Sequence, residues 1–324
     1  MLQFEQKYWQ MGKKYIAGID EAGRGPLAGP VVAASVILPQ DVDLPEVTDS
    51  KKISEKKRER LFDEIHNTAL AVGVGTSHED VIDKENILQA TYQAMRYSLG
   101  QLSITPELIL VDGNKADIKH YEQENIIDGD QKSLSIAAAS IIAKVTRDRI
   151  MRQYDIVFPK YGFARHKGYG TKLHLEAIAN NKAVPIHRKS FNPVSKYLPN
   201  MAYLHRNRLL GKLGEQLAAC KMIRNGHEIK MMNYNVPKVG ELDIISKDSE
   251  ILVFTEVKTR TAGHGWGDPR SQITENKRDR IMNTVQHYMD TKELGCDFRF
   301  DVVEVILGSG KPQINIIKDG MTGY

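Results

Sequence analysis

The stretch Ile16-Ala17-Gly18-Ile19-Asp20-Glu21-Ala22-Gly23-Arg24-Gly25-Pro26-Leu27-Ala28-Gly29-Pro30 decides the fold of the first part of this chain. It is an apolar run that ends in two adjacent carboxylates, Asp20 and Glu21, and continues as a loop rich in glycine and proline around Arg24. A second apolar run, residues 31–38, follows at once. The pattern predicts a strand with an acidic tip, a tight loop and a second strand. Because burial of an uncompensated charge is costly, the carboxylates require a counter-charge, for which a divalent metal ion is the usual candidate.

Two more carboxylates stand at the ends of predicted elements farther along the chain. The apolar run 108–111 predicts a buried strand that ends at Asp112, and Asp130 precedes a predicted helix over 134–154 whose early turns are small residues. Two divalent ions about 3.5–4 Å apart, held by acids from different elements, can activate a water and stabilise a leaving alkoxide in phosphodiester hydrolysis. The sequence therefore predicts a two-metal centre. Its acids are Asp20, Glu21, Asp112 and Asp130.

Two alternatives bear on this centre. Asp148 competes with Asp130 as the fourth acid, but its place among the arginines of a predicted helix favours a salt bridge. The spacing Gly23-x-Gly25-x-x-Ala28 also fits the dinucleotide-binding fingerprint. That fingerprint requires a helix directly after it, whereas Pro26, Pro30 and β-branched residues follow here. The dinucleotide interpretation therefore fails.

Basic residues near the glycine-rich stretches would hold phosphates, and the glycines would let a substrate backbone approach closely. The candidates are Arg24, Lys51, Lys52, Lys167 and Lys172. Lys144 and Arg147 fit a solvated helical face as well as phosphate contacts. His166 and His174 lack the spacing of metal ligands, and we assign them structural roles.

The composition is that of an ordinary globular protein. The chain has 324 residues, 41% of them hydrophobic, which is enough for two domains with separate cores. Its net charge is only +4, so an anionic partner would have to be bound by local basic patches. Two cysteines, Cys220 and Cys296, without a CxxC spacing suit a reducing compartment. Without a signal peptide or a long apolar run, the sequence predicts a cytoplasmic protein that does not bind membranes.

Six motifs within residues 13–197 resemble ribonuclease HII and follow the order of that family. They are Gly18-Ile19-Asp20-Glu21-Ala22-Gly23-Arg24-Gly25-Pro26, Asp49-Ser50-Lys51-Lys52, Val111-Asp112-Gly113, Gly129-Asp130, Ala138-Ala139-Ser140-Ile141-Ile142-Ala143-Lys144-Val145-Thr146-Arg147-Asp148 and His166-Lys167-Gly168-Tyr169-Gly170-Thr171. The resemblance implies an α/β, RNase H-like domain with a mixed sheet. It also implies cleavage of the RNA strand of RNA–DNA hybrids with Mn²⁺ or Mg²⁺, including incision 5′ of single ribonucleotides in duplex DNA. The products would be 3′-hydroxyl and 5′-phosphate ends.

The same resemblance implies roles for individual residues. The catalytic, metal-binding acids would be Asp20, Glu21, Asp112 and Asp130. The loop of Gly23, Arg24 and Gly25 would contact the ribose 2′-hydroxyl, the group by which a protein distinguishes RNA from DNA. Tyr169 would stack on the sugar at the junction, and Lys51 and Lys52 would meet phosphates. The rival hypothesis is a nucleic-acid-binding protein whose acids are inactive; no protein partner is indicated.

The pattern restarts beyond Asn200, which predicts domains over 1–198 and 199–324. A predicted helix over 203–225 precedes strands that place Asp243 and Glu256 on neighbours in a sheet. Period-two alternation puts Lys258 on the same face as Glu256, and Glu215 on the helix could add a third acid.

Residues 203–318 resemble the YraN (UPF0102) family through four motifs. They are Gly214-Glu215-x-x-Ala218, Gly240-Glu241-Leu242-Asp243-Ile244-Ile245, Glu256-Val257-Lys258-Thr259-Arg260 and Arg299-Phe300-Asp301-Val302-Val303. The resemblance implies an α/β domain of restriction-endonuclease-like type, similar to Holliday-junction resolvases. It suggests a second nuclease centre of the PD-(D/E)xK type that cuts branched DNA. The alternative is an exposed Glu–Lys pair on a binding module.

Overall fold

The computed structural model of the chain describes residues 1–114, 116–263, 274–308 and 310–320. The chain divides into two compact units. The first comprises Met1–Met151, His166–Leu175 and Ile186–Lys196, and the second comprises Arg152–Arg165, Glu176–Pro185 and Tyr197–Tyr324. Because the second unit includes two segments that precede residue 198, these units do not test the predicted domain boundary, which stays a prediction.

Helices and strands occur in both parts of the chain. The helices are α1 (Gln3–Gln10), α2 (Glu55–Thr68), α3 (Glu79–Glu85), α4 (Ile87–Gly100), α5 (Leu134–Val157), α6 (Phe163–His166), α7 (Lys172–Asn181), α8 (Met201–Arg206), α9 (Leu210–Arg224) and α10 (Glu275–Thr291). The strands are β1 (Ile16–Ala22), β2 (Val31–Ile37), β3 (Ala71–Ser77), β4 (Leu108–Asp112), β5 (Gln123–Ile126), β6 (Glu228–Val236), β7 (Gly240–Asp248), β8 (Ile251–Thr261), β9 (Phe298–Leu307) and β10 (Gln313–Ile317). Short 3₁₀ turns span Gly129–Gln131 and Val194–Tyr197. None of the helices described is long and apolar enough to cross a membrane.

The first unit is built on a mixed five-stranded sheet with the order β3-β2-β1-β4-β5. The strands β1, β2 and β3 are antiparallel neighbours, whereas β4 runs parallel to β1 and β5 runs parallel to β4. One face of the sheet packs against α4, and the other packs against α2 and α5. Since β1 and β4 are parallel, their carboxyl ends lie at the same edge, and this edge positions the acids.

A glycine sets the distance between the central strand and α5. A Cβ atom at Gly18 of β1 would lie 2.1 Å from the carbonyl carbon of Ser135. The alanines of the first turns of α5, Ala137, Ala138 and Ala139, are fully buried. Small residues on both partners therefore bring the helix backbone directly against the strand.

The structure divides each of two stretches with helical periodicity, residues 78–102 and 203–225, into two helices. Within 78–102, Asn86 adopts φ 86°, which ends α3, and its side chain caps α4 by accepting from the amides of Leu88 and Gln89. Within 203–225, Arg208 adopts φ 54° between α8 and α9. In both cases a left-handed residue interrupts an apolar periodicity that continues across it. The helix α1 and the strand β5 have no counterpart in the sequence prediction.

The second unit contains another five-stranded sheet, with the order β10-β9-β8-β7-β6. Only the central pair β8 and β9 is parallel among these strands; the remaining neighbours are antiparallel. The helix α10 buries Ile281, Val285 and Tyr288 against apolar residues of this sheet. This is the mixed α/β architecture that the sequence predicts for the region, with strands within a few residues of the expected positions.

The amino-terminal helix α1 supplies the cap of α5. The buried Glu5 accepts hydrogen bonds through Oε1 from Ser133 Oγ at 2.6 Å, from Ser135 N at 2.9 Å and from Ser135 Oγ at 2.7 Å. A carboxylate at a helix N-terminus satisfies free amide groups and compensates the positive end of the helix dipole. Glu5 therefore fixes the start of α5, the helix that packs against β1.

We expect Glu5→Ala to reduce the free energy of unfolding by about 1–3 kcal/mol, because three buried donors lose their acceptor. Urea denaturation of the full chain, followed by circular dichroism, measures this change. The matched control is Gln6→Ala on the exposed face of the same helix, which should stay within about 0.5 kcal/mol of the parent chain. Equal stability of the two variants would contradict the capping role of Glu5.

Candidate active site

Three elements bring the predicted acids of the first unit together. Ile19 of β1 pairs with Val111 of β4, so Asp20 and Asp112 come next on two parallel neighbours. The amide of Gly129 donates to Asp112 Oδ1 at 2.7 Å, which anchors the 3₁₀ turn that bears Asp130 at the same edge of the sheet. The convergence follows from the sheet register, as expected for acids at the ends of adjacent parallel strands.

Burial and mutual repulsion shape the electrostatics of these acids. Burial raises the pKa of Asp20 well above its usual range, and the charges of Glu21 and Asp112 raise it further. Burial also raises the pKa of Glu21, although Arg24 opposes the change. The pKa of Asp130 is raised by burial and then by neighbouring carboxylates. A cation among these groups would relieve the repulsion that disfavours their ionised forms.

Two basic side chains already approach the acids. Arg24 Nη1 lies 3.2 Å from Glu21 Oε1, and Lys51 Nζ lies 3.7 Å from Asp130 Oδ2. Burial lowers the pKa of Lys51, but the surrounding aspartates, Asp130 most strongly, outweigh it and the net pKa is raised. These basic groups therefore respond to the same negative potential that would attract a metal ion.

The donor set fits a hard divalent cation, because carboxylate oxygens are the ligands that Mg²⁺ and Mn²⁺ prefer. Within the residues that the structure describes, however, no three acidic, histidine or cysteine side chains form a group that could hold a metal ion. A metal centre at the four acids therefore stays a prediction.

Asp49 is a further acid of this region that the sequence analysis did not select. It is only 5% exposed, and its charge raises the pKa of Asp130. Its Oδ1 accepts from the amide of Lys51 at 2.9 Å, so Asp49 also shapes the turn that presents this lysine. Its place in the Asp-Ser-Lys-Lys motif was the available signal, but the lysines alone were considered there.

Asp148 pairs with basic side chains, as its position in the helix predicts. Its Oδ1 accepts from Lys144 Nζ at 2.7 Å, and its Oδ2 lies 4.0 Å from Arg58 Nη2. Asp148 is almost fully buried, and burial lowers the pKa of its lysine partner. These two cations account for Asp148 without a metal ion.

A groove of about 210 Å³ lies beside the acids. It is lined by Glu21, Ala22, Gly23, Arg24, Gly25, Ser50, Lys51, Ser140, Lys144, Arg147 and Tyr169. The structure thus brings the predicted ribose loop, Lys51 and Tyr169 to the same surface as Glu21. Lys52 points elsewhere: its Nζ donates to Gln131 Oε1 at 3.0 Å and lies 3.8 Å from Asp49 Oδ2.

The other basic candidates lie outside this lining. Lys167 is buried, with its Nζ 3.7 Å from Glu55 Oε2, and Lys172 is exposed at the start of α7. Neither residue borders the groove. Their predicted contacts with phosphates have no support from these positions.

Two buried arginines hold the glycine-rich loop. The guanidinium of Arg147 donates to the carbonyl oxygens of Pro30 at 2.9 Å, Lys167 at 2.9 Å and Ala28 at 3.1 Å. Arg147 is only 1% exposed, so the solvated-face interpretation of this residue is wrong.

Arg188, which the sequence analysis did not select, completes this arginine pair. Its guanidinium donates to the carbonyl oxygens of Arg24 at 2.7 Å and Gly29 at 2.9 Å, and also to that of Gly23. Burial lowers the pKa of Arg147 to about 10 and that of Arg188 to about 9. Both groups therefore stay charged at neutral pH, and they fix the loop through its backbone.

The two glycines of the predicted ribose loop differ in their surroundings. Gly23 adopts φ +100°, and a Cβ there would lie 2.0 Å from Arg147 Nε. At Gly25, a Cβ would meet only Tyr169 Cε1, at an ordinary 3.8 Å. Gly23 is thus required by the fold of the loop, whereas Gly25 opens the surface next to the ring of Tyr169.

The second unit gathers three of the four predicted residues. Ile244 of β7 pairs with Thr255 of β8, so Asp243 and Glu256 come next on these strands. Lys258 Nζ donates to Glu256 Oε1 at 2.8 Å, which confirms that both side chains share one face. Burial and the charge of Glu256 raise the pKa of Asp243 to about 7, and its Oδ2 accepts from the amide of Val257 at 2.7 Å.

The structure adds a lysine to this group and sets Glu215 slightly apart. Lys277, on the first turn of α10, also donates to Glu256 Oε1. A groove of about 380 Å³ is lined by Gly240, Glu241, Asp243, Glu256, Thr274, Asn276, Lys277, Arg280 and Ile281. Glu215 lines a neighbouring cavity of about 190 Å³ with Thr259 and Arg260, and it accepts from Asn233 Nδ2 at 2.8 Å. Nothing in the sequence spacing links Lys277 to the acids, because it comes from a separate helix.

Comparison with known families assigns both parts of the chain. The model of the ribonuclease HII family matches residues 17–194, and the model of UPF0102, an uncharacterised protein family, matches residues 214–305. Ribonuclease HII of Acetivibrio thermocellus is 57% identical over 191 residues, which cover 59% of this chain and 75% of that protein. Ribonuclease HII of Ligilactobacillus salivarius is 54% identical over 197 residues, 61% of this chain and 77% of the relative.

A solved structure is similar to the first part of the chain. The crystal structure of ribonuclease H2 from Pyrococcus horikoshii OT3 superposes with a TM-score of 0.50 at 26% sequence identity. The superposition covers 56% of this chain and 96% of that one. The RNase H-like fold expected from the sequence motifs is thereby confirmed.

We expect Gly23→Ala to destabilise the loop, because a left-handed alanine costs about 1–2 kcal/mol and its Cβ would displace Arg147. The melting temperature of the full chain should fall by several degrees, and RNA cleavage should decline with it. Gly25→Ala is the matched control for stability, since its added methyl group meets only Tyr169 Cε1, at an ordinary contact distance of 3.8 Å. A melting temperature equally low for both variants would contradict the distinction between the two glycines.

Proposed function

The chain belongs to the ribonuclease HII family and cleaves the RNA strand of RNA–DNA hybrids, and we propose that it does so at Asp20, Glu21, Asp112 and Asp130. The observation that supports this location best is the convergence of acids from β1, β4 and the 3₁₀ turn beside the groove. The cut would fall 5′ of the ribonucleotide, including a single one embedded in duplex DNA, and leave 3′-hydroxyl and 5′-phosphate ends.

The four acids would bind Mn²⁺ or Mg²⁺. Divalent ions supply an activated water and stabilise the leaving oxygen of the phosphodiester. Asp20 and Glu21 would provide carboxylate oxygens from β1, Asp112 from the end of β4, and Asp130 from the 3₁₀ turn. The backbone bond from Gly129 orients Asp112 before any metal binds.

Substrate recognition would use the groove that the arginine pair shapes. The backbone of Gly23, Arg24 and Gly25 would approach the ribose 2′-hydroxyl, and Tyr169, which is 46% exposed next to Gly25, would stack on the sugar. Lys51 borders the groove and would meet a phosphate, which leaves Lys52 a weaker candidate because it faces Gln131. These contacts would recognise the ribose and not the base, so the protein would select RNA independently of base sequence.

We expect Asp112→Asn to reduce the cleavage rate by at least about 10³-fold while binding of the duplex persists, because the negative charge and one carboxylate oxygen are lost while the shape is kept. The measurement is incision, with Mg²⁺ or with EDTA, of a DNA duplex that carries one ribonucleotide. Asp41→Asn, on an exposed loop, is the charge-matched control and should cleave normally.

Two outcomes of this assay would contradict the proposal. Retained turnover in Asp112→Asn would remove this acid from the centre. Absence of any metal-dependent incision by the parent chain would instead favour the rival function, a nucleic-acid-binding protein with inactive acids.

A second candidate activity is supported by the group formed by Asp243, Glu256, Lys258 and Lys277 in the second unit. A buried carboxylate and a half-buried one with an adjacent lysine suit a metal-dependent phosphodiesterase, in which a lysine stands near the attacked phosphate. The basic side chains of Lys277 and Arg280 border the same groove and would attract a DNA backbone. Branched DNA is the proposed substrate, and Glu215 would contribute only if the neighbouring cavity joins the site.

This activity can be separated from the first by a variant of the full chain. In an Asp112→Asn background, we expect residual Mg²⁺-dependent cleavage of a four-way DNA junction, and we expect the further change Asp243→Asn to abolish it. Glu241→Gln, an exposed acid on the border of the same groove, is the matched control. Unchanged cleavage after Asp243→Asn would exclude this centre, and no junction cleavage at all would favour the binding-module interpretation.

A further inference from the structure

Three buried histidines of the first unit lie directly behind the loop that presents Tyr169. The rings of His166 and His174 stack with centroids 4.4 Å apart and an interplanar angle of 16°. The Nε2 atoms of His174 and His187 are 3.0 Å apart. All three side chains are at most 8% exposed, so solvent does not mediate these contacts.

Hydrogen bonding defines which nitrogen of His174 bears the proton. Nδ1 of His174 lies 2.9 Å from the carbonyl oxygen of Tyr169, which can only accept, so Nδ1 donates. Nε2 is then the acceptor, and His187 donates to it through its own Nε2. Burial lowers the pKa of His174 to about 4, which keeps this neutral form at physiological pH.

The histidines connect the two surfaces that are proposed to read the substrate. His187 forms a bridge with Ala28 of the glycine-rich loop, and its chain neighbour Arg188 binds the carbonyl oxygens of that loop. On the other side, Gly168 accepts through its carbonyl oxygen from the amide of Leu27 at 2.8 Å. Two connections therefore join the glycine-rich loop to the segment of Tyr169: the direct bond from Leu27 to Gly168, and a side-chain route through His187 and His174 that ends on the Tyr169 carbonyl oxygen.

We infer that His174 is a positioning residue for recognition of the ribonucleotide: its Nδ1–H holds the Tyr169 backbone so that the tyrosine ring stands beside Gly25. Thr171 N–H donates to the same carbonyl oxygen at 2.8 Å, but that bond lies within the loop and does not connect it to the rest of the site. The inference rests on the proposed contact between Tyr169 and the sugar.

Two amide substitutions separate the bonds of His174. His174→Asn places a donor near the position of Nδ1 and retains the bond to Tyr169, whereas His174→Gln places its amide near Nε2 and retains only the contact with His187. For His174→Asn, we expect the single-turnover rate of cleavage of a duplex with one ribonucleotide to stay within about threefold of the parent rate. For His174→Gln, we expect this rate to fall by about tenfold.

Coupling to Tyr169 distinguishes positioning from general support of the fold. We expect Tyr169→Ala alone to lower cleavage by about tenfold, and His174→Gln to cause no further loss in that background, because the residue that it positions is already absent. Thermal unfolding of the same four chains provides the second readout.

Several results would overturn the inference. The first is that His174→Gln cleaves at least as fast as His174→Asn. The second is that His174→Gln lowers the cleavage rate equally in the parent and in the Tyr169→Ala background. The third is that either amide variant fails to fold. Normal cleavage by Tyr169→Ala would remove the substrate contact and the inference together, while metal-dependent cleavage by the parent chain would still uphold the proposed activity.

Discussion

The glycine-rich loop of this ribonuclease depends on two guanidinium groups buried beneath it. A loop in which six of the eight residues 23–30 are glycine, proline or alanine has few side chains to pack, and its inward carbonyl oxygens need donors. Arg147 and Arg188 meet this need with planar, multivalent forks that lysine could not replace. Because both are charged at neutral pH, each bond to a carbonyl is charge-assisted. The substrate side of the loop can then remain backbone.

The sequence was sufficient to predict that the acids converge and insufficient to predict what supports the neighbouring loop. Strand ends are visible as apolar runs that stop at Asp20 and Asp112, and parallel pairing places such ends together. Arg188 was missed because it lies in an irregular segment without periodicity, and its guanidinium hydrogen bonds go to backbone carbonyl oxygens far away in the chain. Arg147 was misinterpreted, since helical periodicity does not distinguish a buried arginine from a solvated one.

The second unit also contains one feature that the sequence predicts and others that it does not. Alternation along β8 correctly placed Glu256 and Lys258 on one face, because that prediction needs only a single strand. The approach of Lys277 from α10 and the displacement of Glu215 into a neighbouring cavity depend on how helices pack on the sheet. Charge pattern and strand period contain no information about that packing.

The contact between Gly18 and Ser135 has a consequence for how this enzyme tolerates sequence change. The separation of β1 and α5 is set by backbone against backbone, and no side chain lies between them at this point. Substitutions in the apolar clusters on either face of the sheet can alter side-chain volume without altering that separation. The geometry of the acid edge is in this way insulated from drift of the surrounding core, at the cost of one position where even a methyl group is forbidden.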